Sequence, residues 1–105
     1  MQIGIPVEKV VGEHRVAATP ETVKKLVGAG HKVVIEYSAG QKAAYLDDAY
    51  TQVGATLVED AYLQSDIILK VHAPQGEEIR KIKAQTIVIA MFDPYRNTAL
   101  EQFAQ

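Results

Sequence analysis

Apolar residues fall along this chain in short runs that switch between two periods. Ile3 and Ile5 alternate with Gln2 and Gly4, which predicts a strand, and Pro6 ends it by withdrawing a ladder N–H. A polar loop follows from Glu8 to Ala18, with its turn at Gly12. Thr19-Pro20-Glu21-Thr22 then predicts a helix start. Thr19 is the expected cap, Pro20 suits the first helical position, and Glu21 sits at the positive end of the dipole. Val23, Leu26 and Val27 share one face while Lys24 and Lys25 turn away, and Gly28 and Gly30 supply the stop. Residues 31–36 hold a nearly continuous apolar run, which predicts a strand buried on both faces.

The same rhythm continues. Asp47 is the expected cap of a short helix carrying Ala49, Tyr50 and Val53, closed by Gly54. Residues 55–58 read as a third strand, 59–65 as a brief helix or turn, and 66–71 as a fourth strand before Pro74. A helix over 77–83 with Ile79 and Ile82 inward leads to a fifth strand over 86–91. Asn97 is the expected cap of a last helix with Leu100 and Phe103 on its apolar side. Strand and helix thus alternate about five times. The physical solution is an α/β three-layer fold: an open, mostly parallel five-stranded sheet, flavodoxin-like or Rossmann-like, with helices on both faces. No internal repeat or boundary divides residues 1–105, so one domain is expected, and its stop inside an apparent helix at Gln105 makes truncation an expectation.

Composition narrows the function classes. Eleven Lys and Arg against thirteen Asp and Glu leave a net charge of -2, which excludes a polybasic nucleic-acid binder and an acidic disordered tail. Without cysteine there is no disulfide framework, thiol nucleophile or Cys-based zinc site. No apolar run approaches the roughly 20 residues that cross a bilayer, and no secretory pattern opens the chain. A small soluble cytoplasmic domain, with no direct membrane insertion, is the expectation.

In an open parallel sheet, ligands bind beyond the carboxyl ends of the strands, which singles out the loops after Pro6, Tyr37, Val71 and Met91. Arg15 offers a fork of donors matched to a carboxylate or phosphate; the alternative is a surface arginine paired with Glu8 or Glu13. Lys70, at the end of an apolar strand, either aims its ammonium into the crevice or snorkels to water. His72 is a candidate acid–base or hydrogen-bonding group, against the alternative of an inert loop histidine with no carboxylate partner. Asp93 before Pro94 reads first as a turn residue, with Tyr95 and Arg96 beside it. The histidines lack ligand spacing, so no metal site is expected. The first strand is followed by Val7-Glu8-Lys9 rather than a glycine-rich phosphate loop, and no P-loop ending occurs. Glu8 alone does not supply the paired acids of a phosphoacceptor receiver domain.

Ile3-Gly4-Ile5-Pro6 with Glu8, then Arg15-Val16-Ala17-Ala18-Thr19-Pro20, resembles the N-terminal domain shared by alanine dehydrogenases and nicotinamide nucleotide transhydrogenases. Val27-Gly28-Ala29-Gly30-His31-Lys32-Val33, Ala39-Gly40, Gly54-Ala55, and Asp66-Ile67-Ile68-Leu69-Lys70-Val71 with Pro74 continue the resemblance in order up to about Ala90. Within the family it is most similar to the alpha subunit of the proton-translocating transhydrogenase. The resemblance implies that this domain is followed by a dinucleotide-binding domain that holds NAD(H), absent from this chain. It also implies a beta subunit, a partner component carrying NADP(H), and a homodimer in the complete protein. The assembly would stand at the cytoplasmic face of the inner membrane. No cofactor and no catalytic residue are expected in this chain itself.

In the alanine dehydrogenase branch, the resemblance gives Arg15 the position that grips the substrate carboxylate. It puts a second substrate lysine at His72 and the catalytic histidine at Asp93. Two of three substrate groups are therefore replaced. Oxo-acid reduction needs an acid–base partner, and hydride exchange between two nicotinamides does not, so the replacements fit the transhydrogenase branch. Ligand-binding candidates are accordingly Arg15, Lys70 and His72. A 2-oxo-acid-binding fragment and a non-catalytic subunit-interaction module are the alternatives.

Overall fold

The structure, a computed structural model, describes residues 1–91. Strand β1 (Gln2–Ile5) ends at Pro6, and a loop leads to helix α1 (Pro20–Gly28). Thr19 caps α1 as its sequence suggests: its hydroxyl accepts from the Thr22 amide at 3.2 Å, with Pro20 at the first position. Strand β2 (Lys32–Glu36) is followed by a single 3₁₀ turn (Gln41–Ala43) and helix α2 (Asp47–Gln52). Asp47 does not cap α2. Leu46 holds that position, and the Asp47 carboxylate instead accepts from the Ser38 amide at 2.9 Å, tying the loop after β2 to the helix.

Strand β3 (Thr56–Val58) precedes a segment over 59–65 that forms turns rather than a helix, then strand β4 (Ile67–Lys70), helix α3 (Glu77–Lys81) and strand β5 (Ile87–Ala90). The five strands form one all-parallel sheet in the order β3-β2-β1-β4-β5. The α/β class read from the alternation is the fold observed. The order reverses between β1 and β4, so the switch point lies where the loops after those two strands meet. The expected terminal helix after Asn97, with Leu100 and Phe103, lies outside the described residues, as do Asp93, Tyr95 and Arg96.

Register divides the side chains between two faces. Ile3, Ile5, Val33 and Ile35 point one way and form the buried core with Val23 of α1 and Tyr50 of α2. The Tyr50 hydroxyl donates to the Ala18 carbonyl at 2.8 Å, so burial leaves its polar tip satisfied; burial also pushes its pKa up to about 12. The other face carries Gly4, Val34, Ile68 and Lys70, covered by the 59–65 turns and, through Glu78, by α3. Gly4 is a glycine because the turns press against it. A Cβ there would run into the Ala61 carbonyl oxygen and come within 2.5 Å of the Ser65 hydroxyl.

Cover is unequal. On the first face α1 and α2 lie over β1, β2 and β3, whereas Ile87 and Ile89 of β5 stay 54% and 46% exposed. The expectation of helices on both faces therefore holds over part of the sheet, among the described residues.

Candidate functional site

The loop after β1 folds back over the switch point, and Glu8 fixes it there. One carboxylate oxygen of Glu8 accepts from the Val71 amide at 2.8 Å, and the other accepts from the His72 amide at 3.2 Å. A buried acid thus stitches the exit of β1 to the exit of β4. Glu36, buried at the end of β2, does similar work by accepting from the amides of Val7 (2.9 Å) and Ala61 (3.0 Å). Backbone donors satisfy these carboxylates, which is what allows them to be buried.

Arg15 and His72 meet at a third acid, Glu13. Its Oε2 accepts from the Arg15 amide (2.7 Å) and Nε (2.8 Å), and its Oε1 accepts from Nη2 (2.6 Å). His72 Nε2 stands 2.7 Å from the same Oε1. The fork of Arg15 therefore holds a carboxylate of its own chain, the pairing that the sequence offered as the alternative to a ligand. The Arg15 hydrogen bonds hold the Glu13 carboxyl far below the ordinary glutamate range, against the opposing effect of burial. The same pairing raises Arg15. His72 has the carboxylate partner that an inert loop histidine would lack.

Lys70 neither snorkels nor joins Arg15. Its side chain is 1% exposed, with Nζ 2.9 Å from Glu78 and 3.4 Å from Glu8. The Tyr62 hydroxyl donates to the same Glu78 oxygen at 2.7 Å, and burial drives the Tyr62 pKa far upward. Glu78 titrates below its ordinary range; burial opposes this, and the Tyr62 and Lys70 hydrogen bonds outweigh it. Arg15 and Lys70 accordingly line different hollows. One, of about 170 Å³, lies among Arg15, Glu13, Ser38 and Lys42; the other, of about 440 Å³, lies among Lys70, Lys9, Ala73 and Glu78.

Sequence reasoning missed Glu36, Tyr62 and Glu78, treated Glu13 only as a possible arginine partner, and gave Glu8 no part in joining two strand ends. The one available signal was a single acid placed just past an apolar strand, at Glu8 and Glu36. Among the described residues no group of three His, Asp or Glu side chains is arranged to hold a metal, and no helix is long and apolar enough to cross a membrane.

These features define a class: a parallel α/β domain whose carboxyl-end crevice is walled by buried glutamates and faced by Arg15, with no phosphate loop in its sequence. The chain belongs to the alanine dehydrogenase/PNT N-terminal domain family, whose model matches residues 4–105. It is 41% identical over 101 residues to the NAD(P) transhydrogenase subunit alpha of Haemophilus influenzae, covering 95% of this chain and 20% of the relative. Alanine dehydrogenase 1 of Staphylococcus aureus is 39% identical over 90 residues, covering 84% of this chain and 24% of that protein. A crystal structure of transhydrogenase from Sinorhizobium meliloti superposes with a TM-score of 0.90 at 35% identity, over 99% of this chain and 31% of that one. The chain thus spans between a fifth and a third of the length of these proteins.

Proposed function

We propose that this chain is the N-terminal domain of a transhydrogenase alpha-type subunit, serving hydride exchange between NAD(H) and NADP(H) coupled to proton movement. In this reading the domain holds no cofactor itself. NAD(H) sits on the remainder of the subunit, and NADP(H) on a partner component of a membrane-bound, dimeric assembly. The observation that carries the reading is His72. At the position of a substrate lysine in the alanine dehydrogenase branch it is a histidine engaged with Glu13, while the nearest lysine, Lys70, is locked between Glu78 and Glu8. Among the described residues, Arg15 and Lys70, the two cations a 2-oxo acid would have to bridge in this reading, line different hollows. The wider coverage of the alpha-subunit relative points the same way.

The test is to express the complete reading frame with its partner component. NADH-dependent reduction of an NADP analogue is expected, and NADH-dependent reductive amination of pyruvate is not. Alanine formation at a rate comparable to hydride exchange would overturn the reading. The 105-residue chain alone is expected to catalyse neither reaction.

The half-exposed Arg15 keeps a second reading in view, a 2-oxo-acid-binding domain. It requires calorimetric heat with pyruvate that disappears in Arg15→Ala.

A further inference from the structure

On the face opposite α1 and α2, the 59–65 turns cover Gly4 of β1 and leave beside them an open groove of about 680 Å³ over β2 and β3. Val34 and Val58 form its floor, and Tyr37 and Leu63, 53% and 63% exposed, border it. Apolar surface gathered in this way marks a contact surface. Charge runs along the groove rather than around it. Lys32 opens β2 at one end, and Glu59 follows β3 at the other. The parallel register sets them about five residues apart along the strands, roughly 16 Å. Both are exposed, and neither side chain makes an ion pair among the described residues. Neighbouring Asp60, by contrast, already accepts from the Tyr62 amide at 2.9 Å and lies 4.0 Å from Lys81.

A surface with a cation at one end, an acid at the other and apolar residues between is its own complement. A two-fold rotation about its middle lays Lys32 of each copy on Glu59 of the other, and Leu63 of each against the facing valines. A purely acidic or purely basic partner would satisfy one end and repel the other. Strand β3, three residues long, offers little edge for strand addition, so the contact is face to face. We infer that this groove is the contact surface of a weak two-fold dimer of this chain, held by Leu63 and by two Lys32–Glu59 pairs. The surface lies over β2 and β3, not at the switch point between β1 and β4, and it stands whatever reaction the complete protein performs.

Sedimentation equilibrium of the 105-residue chain between about 10 µM and about 1 mM tests this. Every chain carries Ile87→Lys and Ile89→Lys, so that the exposed β5 takes no part. A monomer–dimer equilibrium with a Kd on the order of 100 µM is expected, as suits an interface at the small end of the range. Lys32→Glu alone and Glu59→Lys alone each turn both pairs into like charges and should weaken the dimer at least about tenfold. Leu63→Ser should weaken it too. An equimolar mixture of the two charge-reversed chains should recover association, because in the mixed pair every cation again meets an acid; a merely structural effect of either substitution would not be rescued by mixing. All three substitutions sit on exposed side chains, and circular dichroism checks that the fold is kept. A chain that stays monomeric at about 1 mM, leaving the groove to another part of a longer subunit, would overturn the proposal. So would an unaltered Kd in either charge reversal or in Leu63→Ser, or a mixture that associates no better than its components.

Discussion

A carboxylate withdrawn from water stays ionised only where donors surround it, and the rim of this sheet provides them from the backbone. Glu8 takes the amides of Val71 and His72, so removing it strands one buried and one half-buried N–H group and leaves Lys70 with one anionic partner. Glu8→Ala should lower the unfolding free energy by about 2–4 kcal/mol, read from urea denaturation, and Glu8→Gln by less because one acceptor survives. Glu13 gives the pH dependence its sign. Its folded-state pKa lies far below the roughly 4.3 of an unfolded glutamate, so its contribution is complete above that value and drains away as pH falls through the acid range. Urea midpoints at pH 7 and at about pH 3.5 should differ, and Glu13→Gln should flatten the difference. None of this is visible in the residues one by one. Lys70 looked like a lysine with a choice between crevice and water because its partners come from the loop after β1 and from α3, which only the folded sheet brings to it.

Elements were the most legible level, because their signals are local. Thr19-Pro20 starts α1 where capping chemistry places it, and the run Val33-Val34-Ile35 marks a strand sealed on both faces. The exceptions have contact-based causes. Asp47 has a cap's side chain but spends it on Ser38, while residues 59–65, read as a brief helix or turn, take the turn and bring the Ala61 carbonyl and the Ser65 hydroxyl over β1. That approach explains why β1 tolerates a glycine with its high entropic cost. Gly4→Ala should destabilise by roughly 1–3 kcal/mol, opposite to the small gain expected of an unconstrained Gly→Ala change. Thermal unfolding of the variant followed by circular dichroism checks the sign.

At the scale of the molecule, the sheet is sealed on one side of its switch point and only partly on the other. Ile87 and Ile89, both on the face of Ile3 and Ile5, project from the outermost strand with Met91 beyond them. Contiguous apolar surface of this kind marks an interaction site or an association hazard. Ile87→Lys with Ile89→Lys should reduce concentration-dependent sedimentation of the 105-residue chain while leaving its melting temperature within a few degrees. An unchanged sedimentation profile would remove this strip from consideration as a contact surface. The five parallel strands were within reach of the alternating pattern, whereas their order and its reversal came only with the structure. The unequal cover among the described residues was not within reach either, because cover depends on which helices reach which strands.

The stitch made by Glu8 has a mechanical consequence. Two strand ends that share one carboxylate cannot part like jaws, so a molecule arriving at the notch meets walls of fixed spacing. Widening that notch would first have to break both amide bonds to this one acid.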